Sequence, residues 1–177
     1  RNITLGSFSA PATSTSLTLS GNNSFSGTVV LGNKNVSSTV NINTLKIIGE
    51  SQSLGTGSLI QFGREVTTGT VVYTGGTTST DKTWSLVNLT AVTAGGAFIN
   101  NGPGAVTWAG AQVAAQQNTD VTRNFTLGGT NTDNNTWQSA IGNNGTGGSV
   151  GLAPVSLTKT GAGTLTLTGA NTYTGGT

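Results

Sequence analysis

Apolar side chains in this chain alternate with Thr, Ser or Asn instead of recurring every third or fourth position. Leu165-Thr166-Leu167-Thr168, Val40-Asn41-Ile42-Asn43 and Val106-Thr107-Trp108 all have period two. That period sends one set of side chains to one face of a strand and the other set to the opposite face. The same pattern predicts strands over 58–62, 70–73, 83–89, 97–99 and 125–127. Gly, Gly-Gly, Asn-Gly and Gly-Asn corners punctuate them. Residues 109–117 (AGAQVAAQQ) are the one stretch able to form a helical turn, read here as a decorating loop or edge segment. No long segment carries a 3.6-residue apolar period, so the fold class is all-β.

Alternation with Gly/Asn corners suits a β-sandwich as well as a β-solenoid. Repetition favours the solenoid. Residues 17–27 read LTLSGNNSFSG and residues 165–175 read LTLTGANTYTG, one pattern in two copies. Arg1-Asn2-Ile3-Thr4-Leu5-Gly6 is echoed by Arg123-Asn124-Phe125-Thr126-Leu127-Gly128, and Gly75-Gly76-Thr77 with Thr83-Trp84 by Gly128-Gly129-Thr130 with Thr136-Trp137. Residues 101–110 also resemble 160–169. The echoes differ in spacing, which implies a degenerate array with loop insertions, its units near 1–33, 73–110 and 123–177. All belong to one module, 1–177, either a subunit or an excerpt of a longer array.

Stacked similar rungs place like residues above like and bury a continuous column. The expected interior holds Leu17, Leu19, Phe25, Trp108, Leu165, Leu167 and Tyr173. Thr18, Thr166 and Thr168 face out, and Gly21, Gly27, Gly169 and Gly175 mark the corners. Trp108, aligned with Leu167, plugs the core, while Trp84 and Trp137 at equivalent repeat positions share one packing role. With ~20–25 residues per rung there are about seven or eight rungs, a rod of roughly 35–40 Å at ~4.8 Å per strand.

Composition narrows the function. Charged residues make up 7% of the chain, with 28 Gly and 3 Pro. Low charge argues against a disordered chain, which stays open through high net charge. The net charge of +2 comes from scattered Lys and Arg, so no basic face for nucleic acid is expected. No apolar run approaches the ~20 residues of a membrane helix. The chain has no His, Cys or Met, which removes His-based triads, Cys nucleophiles and the usual zinc sites.

The acids are Glu50, Glu65, Asp81, Asp120 and Asp133. Asp120 with Arg123 is the one tempting neighbour pair for polysaccharide cleavage, and it is read as surface or corner charge. Neither the EF-hand loop nor the Gly-rich calcium nonapeptide occurs. No catalytic residue, metal site or cofactor is therefore expected, and the chain is read as non-enzymatic. The three Trp with Tyr73 and Tyr173 raise the alternative of a carbohydrate-binding or carbohydrate-cleaving β-helix. Acids and aromatics converging on one groove would mark it.

The closing segment resembles a known family. Lys159, Gly161, Gly163, Thr164, Leu165, Leu167, Gly169, Asn171, Tyr173, Gly175 and Thr177 follow the pattern K-x-G-x-G-T-L-x-L-x-G-x-N-x-Y-x-G-x-T. This is similar to the autotransporter-associated β-strand repeat, also called the passenger-associated transport repeat. The earlier copy keeps Leu17, Leu19, Gly21, Asn23 and Gly27, with Phe25 for Tyr and no K-x-G-x-G lead-in. The resemblance implies a right-handed parallel β-helix in a bacterial protein that is secreted or displayed at the cell surface. It implies no enzymatic activity. The expected role is structural, in a fibre, sheath, matrix or adhesin. Unpaired solenoid ends invite pairing, so head-to-tail self-association is expected around Ile3, Leu5, Tyr173 and Thr177. Adjacent repeats of the same chain or a surface polysaccharide are the other partners considered.

Overall fold

The computed structural model describes residues 1–7, 14–34, 36–64, 67–87, 94–113, 121–143 and 153–177. Fourteen strands run through them and no helix. In chain order these are β1 (Ile3–Ser7), β2 (Thr15–Leu19), β3 (Val29–Lys34), β4 (Ser38–Ile42), β5 (Leu59–Phe62), β6 (Thr68–Tyr73) and β7 (Thr78–Thr80). They continue as β8 (Thr83–Leu86), β9 (Gly95–Asn100), β10 (Val106–Trp108), β11 (Arg123–Gly128), β12 (Asn134–Trp137), β13 (Val155–Lys159) and β14 (Thr164–Leu167).

Every pairing between these strands is parallel. They form three sheets: β1-β3-β5-β8, then β2-β4-β6-β9-β11-β13, then β7-β10-β12-β14. The chain visits the sheets in rotation and returns one strand further along each time. The result is a β-solenoid of about five turns, as its six-strand second sheet requires.

The first circuit keeps within the expected 20–25 residues, but the later ones are longer. Thr15 lies beside Ser38, 23 residues on, and Arg123 beside Val155, 32 residues on. Three sides and three corners consume more chain than a short rung allows. The stack is correspondingly shorter, about 24 Å at ~4.8 Å per rung. Residues 109–113 form no helix; Gln112 makes a parallel bridge to Trp84, and 114–117 lie outside the described residues, as do 88 and 89 of the expected 83–89 strand.

Strand registers align the interior in columns. Leu17, Val40, Val71, Phe98 and Leu127 stand in one column of the second sheet, which ends on Lys159. Ile3, Val29, Ile60 and Trp84 form a column of the first sheet. Thr80, Trp108, Trp137 and Leu167 form one of the third. Aromatic rings fill the centre. Trp84 stacks on Phe125 with centroids 4.5 Å apart and planes 8° off parallel, and Trp108 stacks on Trp137 at 4.8 Å and 18°. Phe125 meets the edge of Trp137 at 5.3 Å, so the two stacks are joined. Such pairs add about 0.5–1.5 kcal/mol each beyond the area they bury.

The repeated sequences do not occupy equivalent faces. Trp84 belongs to β8 in the first sheet and Trp137 to β12 in the third, so the equivalence expected of them is corrected. They meet edge to face with centroids 5.5 Å apart, but the ring in register with Trp137 is Trp108. The two R-N-x-T-L-G copies fall in β1 of the first sheet and β11 of the second. The two L-T-L copies fall in β2 of the second sheet and β14 of the third. In these last two cases the later copy has moved on by one side of the triangle, whereas the Trp84 and Trp137 copies differ by another step. The repeat therefore encodes strand, corner and strand, without regard to which face it lies on.

Removing one lumen ring leaves a cavity that neighbouring rungs, held by their ladders, cannot close. Trp137→Ala should therefore cost about 3–5 kcal/mol. Leu167→Ala, in the same column but half-exposed in the last rung, should cost under half as much. Urea unfolding of both variants checks the order, and equal losses would show that burial along the column does not set stability.

Candidate stacking interface

The side chains expected to be interior divide by rung. Trp108 is fully buried in the core. Leu19, Phe25, Leu165, Leu167 and Tyr173 pack against that core but are only partly buried, and Leu17, at the head of its column, is half-buried. They lie in the first and last rungs, where one side of the column has no further rung above it. Ile3 and Leu5 in β1 are half-buried for the same reason. Thr18 and Thr168 are exposed, and Thr166, half-buried, donates from Oγ1 to Asn134 Oδ1 at 2.8 Å.

Both end rungs carry backbone edges. β1 and β2 close one end of their sheets and β14 the end of the third. The edge of β13 is already occupied in part: Gly175 N–H donates to Val155 O at 2.9 Å, and Leu157 N–H donates to Gly176 O at 3.0 Å. The last residues thus lie along the outer edge of the second sheet through these two bonds. Tyr173 and Thr177, expected as assembly contacts, share a hydroxyl–hydroxyl hydrogen bond of 2.8 Å across this tail.

Corner residues set how closely rungs approach. Gly21 turns with φ of 74°, in the left-handed region that glycine enters without a Cβ penalty. At Gly169 a Cβ would lie 2.5 Å from Ala140 N, so a side chain there would force two rungs apart. Gly27 and Gly175 are similarly crowded by the backbones of Arg1 and Val155.

Asparagine carboxamides join the corners. Asn2 Oδ1 accepts Thr28 N–H, Asn43 Oδ1 accepts Gly21 N–H, and Asn101 Oδ1 accepts Thr130 N–H, each at 3.0–3.1 Å. Asn171 Oδ1 accepts Ile141 N–H at 2.9 Å. Between the second and third sheets Asn100, Asn131 and Asn135 form a chain: Asn100 Nδ2 and Asn135 Nδ2 each donate at 2.8 Å to the next Oδ1. These bonds satisfy corner N–H groups that no strand partner reaches.

The second rung lacks a third-sheet strand and replaces it with a braced loop. Gln52, fully buried, donates from Nε2 to the carbonyls of Lys46, Ile47 and Glu50 and accepts Lys46 N–H. Thr80 Oγ1 donates to Lys46 O at 2.7 Å, and Asp81 Oδ1 accepts Ile48 N–H at 2.6 Å. Lys82, 1% exposed, sends its Nζ to the carbonyls of Gly55 and Gly57. Burial lowers its ammonium to about 8 from the usual 10.5, only partly opposed by the Asp81 charge.

The candidate chemistry disperses. Arg123, expected as surface or corner charge, is fully buried and donates to Val87 O; burial also lowers its guanidinium. It begins β11, whose alternation turns it into the solenoid. Asp120 and Glu65 lie outside the described residues. Glu50 is half-exposed and pairs with Lys46 at 3.8 Å. Among the described residues no three metal-ligating side chains gather, and no helix is long and apolar enough to cross a membrane. Trp84, Trp108 and Trp137 are 0–2% exposed, so they offer no outer platform to a sugar. Sequence reasoning missed Lys82 and Gln52, because the carbonyls that hold them come from loops with no periodic signature.

Comparison with known families agrees with this geometry. The passenger-associated transport repeat model matches residues 14–32 and 157–177, the segments containing β2 and β14. No curated protein and no solved structure matches the chain.

The buried Lys82 has a pH signature. Below about pH 8 folded and unfolded chains both carry its proton, and the desolvation penalty is constant. Between about 8 and 10.5 the folded chain releases the proton first, so stability rises with pH, by at most about 1.4 kcal/mol per unit. Tyr73, whose phenol burial raises, adds its own dependence only near and above its usual 10. Urea unfolding from pH 7.5 to 9.5 should show a rise in the native chain that Lys82→Met abolishes. An unchanged slope in the variant would refute the assignment.

Proposed function

We propose that this chain is a structural module of an extracellular, autotransporter passenger-type protein, working as a stiff β-solenoid whose rungs stack on further like rungs. The observation that carries the reading is the register of the columns. Inward Leu and aromatic positions recur in both end rungs, where Leu5, Leu19, Phe25, Leu165, Leu167 and Tyr173 stand half-covered, while one column of the second sheet ends on Lys159. A following rung, from the same polypeptide or from a second copy, would complete each column by the contacts that hold the interior. The repeat similarity in the first and last rungs supports continuation by units of one kind. The role is passive and non-catalytic, that of a spacer or scaffold in a fibre, sheath, matrix or adhesin at the cell surface.

The physical basis is stiffness without charge. Parallel ladders tie each rung to two neighbours, and outward Thr and Ser stack without the repulsion that like charges would create. Along the second sheet the outward column runs Ser16, Thr39, Thr70, Ala97, Thr126 and Thr158.

The test joins two copies through a flexible Gly/Ser linker. Stacked ends make one cooperative unit, with a higher urea midpoint and a steeper dependence on denaturant than the single copy. Two copies that unfold independently, at the single-copy midpoint and slope, would overturn the stacking role. Sedimentation of the single copy then separates continuation within a chain from head-to-tail association between chains, since only the latter makes mass grow with concentration.

A further inference from the structure

The three sides of the solenoid do not reach the same height at the β14 end. Beyond β8 the first side continues: Gln112 bridges Trp84, Gly142 N–H donates to Gln112 Oε1 at 2.8 Å, and Thr172 N–H donates to Ile141 O at 2.9 Å. The second side gains residues 175 and 176 on the edge of β13. On the third side β14 is outermost. It pairs with β12, and among the described residues its other edge carries no backbone hydrogen bond. At the opposite end the ascent begins on the first sheet with β1, paired with β3 and open on its other edge. One end therefore has a strand position vacant on the third side, and the other end leads with a strand of the first.

The two open strands match each other. β14 turns Leu165 and Leu167 towards the core and β1 turns Ile3 and Leu5, all four half-buried, with Thr166 and Thr4 between them on the outer face. A parallel pairing of Ile3 with Leu165 and Leu5 with Leu167 covers both apolar positions and sets Thr4 beside Thr166. A slip of one residue would turn Thr4 inward. A slip of two in either direction would leave one Leu of β14 uncovered and bring Ile3 to Gly163 or Leu5 to Gly169, where the chain is already turning. One register alone satisfies both strands.

We propose that two copies of this chain stack with a rotation of one face, β1 of the second copy lying on β14 of the first. The first sheet of one copy then continues the third sheet of its partner. The inference rests on the stacking role proposed above and specifies its geometry. Straight stacking, like sheet on like sheet, would place β1 over Thr172 and leave the strand position beside β14 empty, a void in the columns of Leu165 and Leu167. Rotation by one face fills that position with the matching strand. The internal repeat makes the same advance: one L-T-L copy lies in β2 on the second sheet and the other in β14 on the third. In a second copy rotated by one face β2 falls on the first side, so successive copies of the motif move on by one face each time.

The chain has no Cys, so introduced thiols report the joint without interference. Two copies are joined by a Gly/Ser linker long enough to reach any face, with Thr166→Cys in the first copy and Thr4→Cys in the second. In the rotated stack these positions face outward about 4.8 Å apart, within the Cα separation that a disulfide spans. Thr172→Cys with Thr4→Cys is the corresponding pair for straight stacking. Thr4 and Thr172 are exposed and Thr166 lies half-buried on the outer face, so none of the substitutions enters the core. Under mild oxidation, followed by mass after proteolysis, the first pair should close at least about tenfold faster than the second. Equal or reversed rates in a linked pair that unfolds as one cooperative unit would overturn the rotation and leave stacking intact. Halves that unfold independently would remove stacking itself, and the rotated joint with it.

Discussion

In-register parallel stacking is the constraint on which everything else depends. Once strands pair with a fixed register, each inward position is repeated one rung on and must be filled by something of similar shape. The Leu17, Val40, Val71, Phe98, Leu127 column shows how little freedom remains: all five are apolar, size varies between Val and Phe, and opposing faces compensate. Where Phe98 is large, Gly96 beside it is small, because a Cβ there would meet Phe62 at 2.5 Å. Where the first and third sheets bring Trp84 and Trp137 inward, Phe125 packs against both, stacked on Trp84 and edge-on to Trp137. Packing is solved across the lumen and not within a single sheet.

The same constraint makes polar groups expensive at corners. Strands satisfy one another through ladders, but the chain turns three times per circuit, and each turn exposes N–H groups to a neighbour that is also turning. Asn answers this repeatedly, because its carboxamide can accept from one rung and donate to another. The rotation of roles along Asn100, Asn135 and Asn131 leaves no amide in that chain idle. Lys82 and Gln52 serve where a strand is missing altogether: a long side chain substitutes for a ladder by reaching several carbonyls at once.

Much of the fold was legible because period two and like-on-like repetition are local properties. The alternation in 40–43, 70–73 and 125–127 places strands where β4, β6 and β11 lie, and the repeated text selects a solenoid over a sandwich. Rung length was not legible, since it depends on how many sides close the circuit, a property of no single segment. Nor was the face on which a copy falls. Trp84 and Trp137 share flanking sequence yet sit in different sheets, and Trp108, without that flank, is the ring in register. Arg123 illustrates the other limit: charge predicts exposure, but the alternation that turns Phe125 and Leu127 inward turns Arg123 inward too.

That a repeat copy can move from one face to the next has a structural consequence. If the unit specified a face, every insertion or deletion of a side would destroy the register above it. A unit that specifies only strand, corner and strand tolerates such changes, because the next strand finds whichever ladder the accumulated chain length brings it to. Connections may then vary freely, as the step from 23 to 32 residues per circuit shows, while the columns persist. What the ladder cannot tolerate is an inward residue that fails to fill its column. Lys159 is such a residue, and its side chain leaves the lumen for the carbonyls of Thr160 and Gly161. Interior shape, not strand count or rung length, is therefore what this architecture must hold from rung to rung.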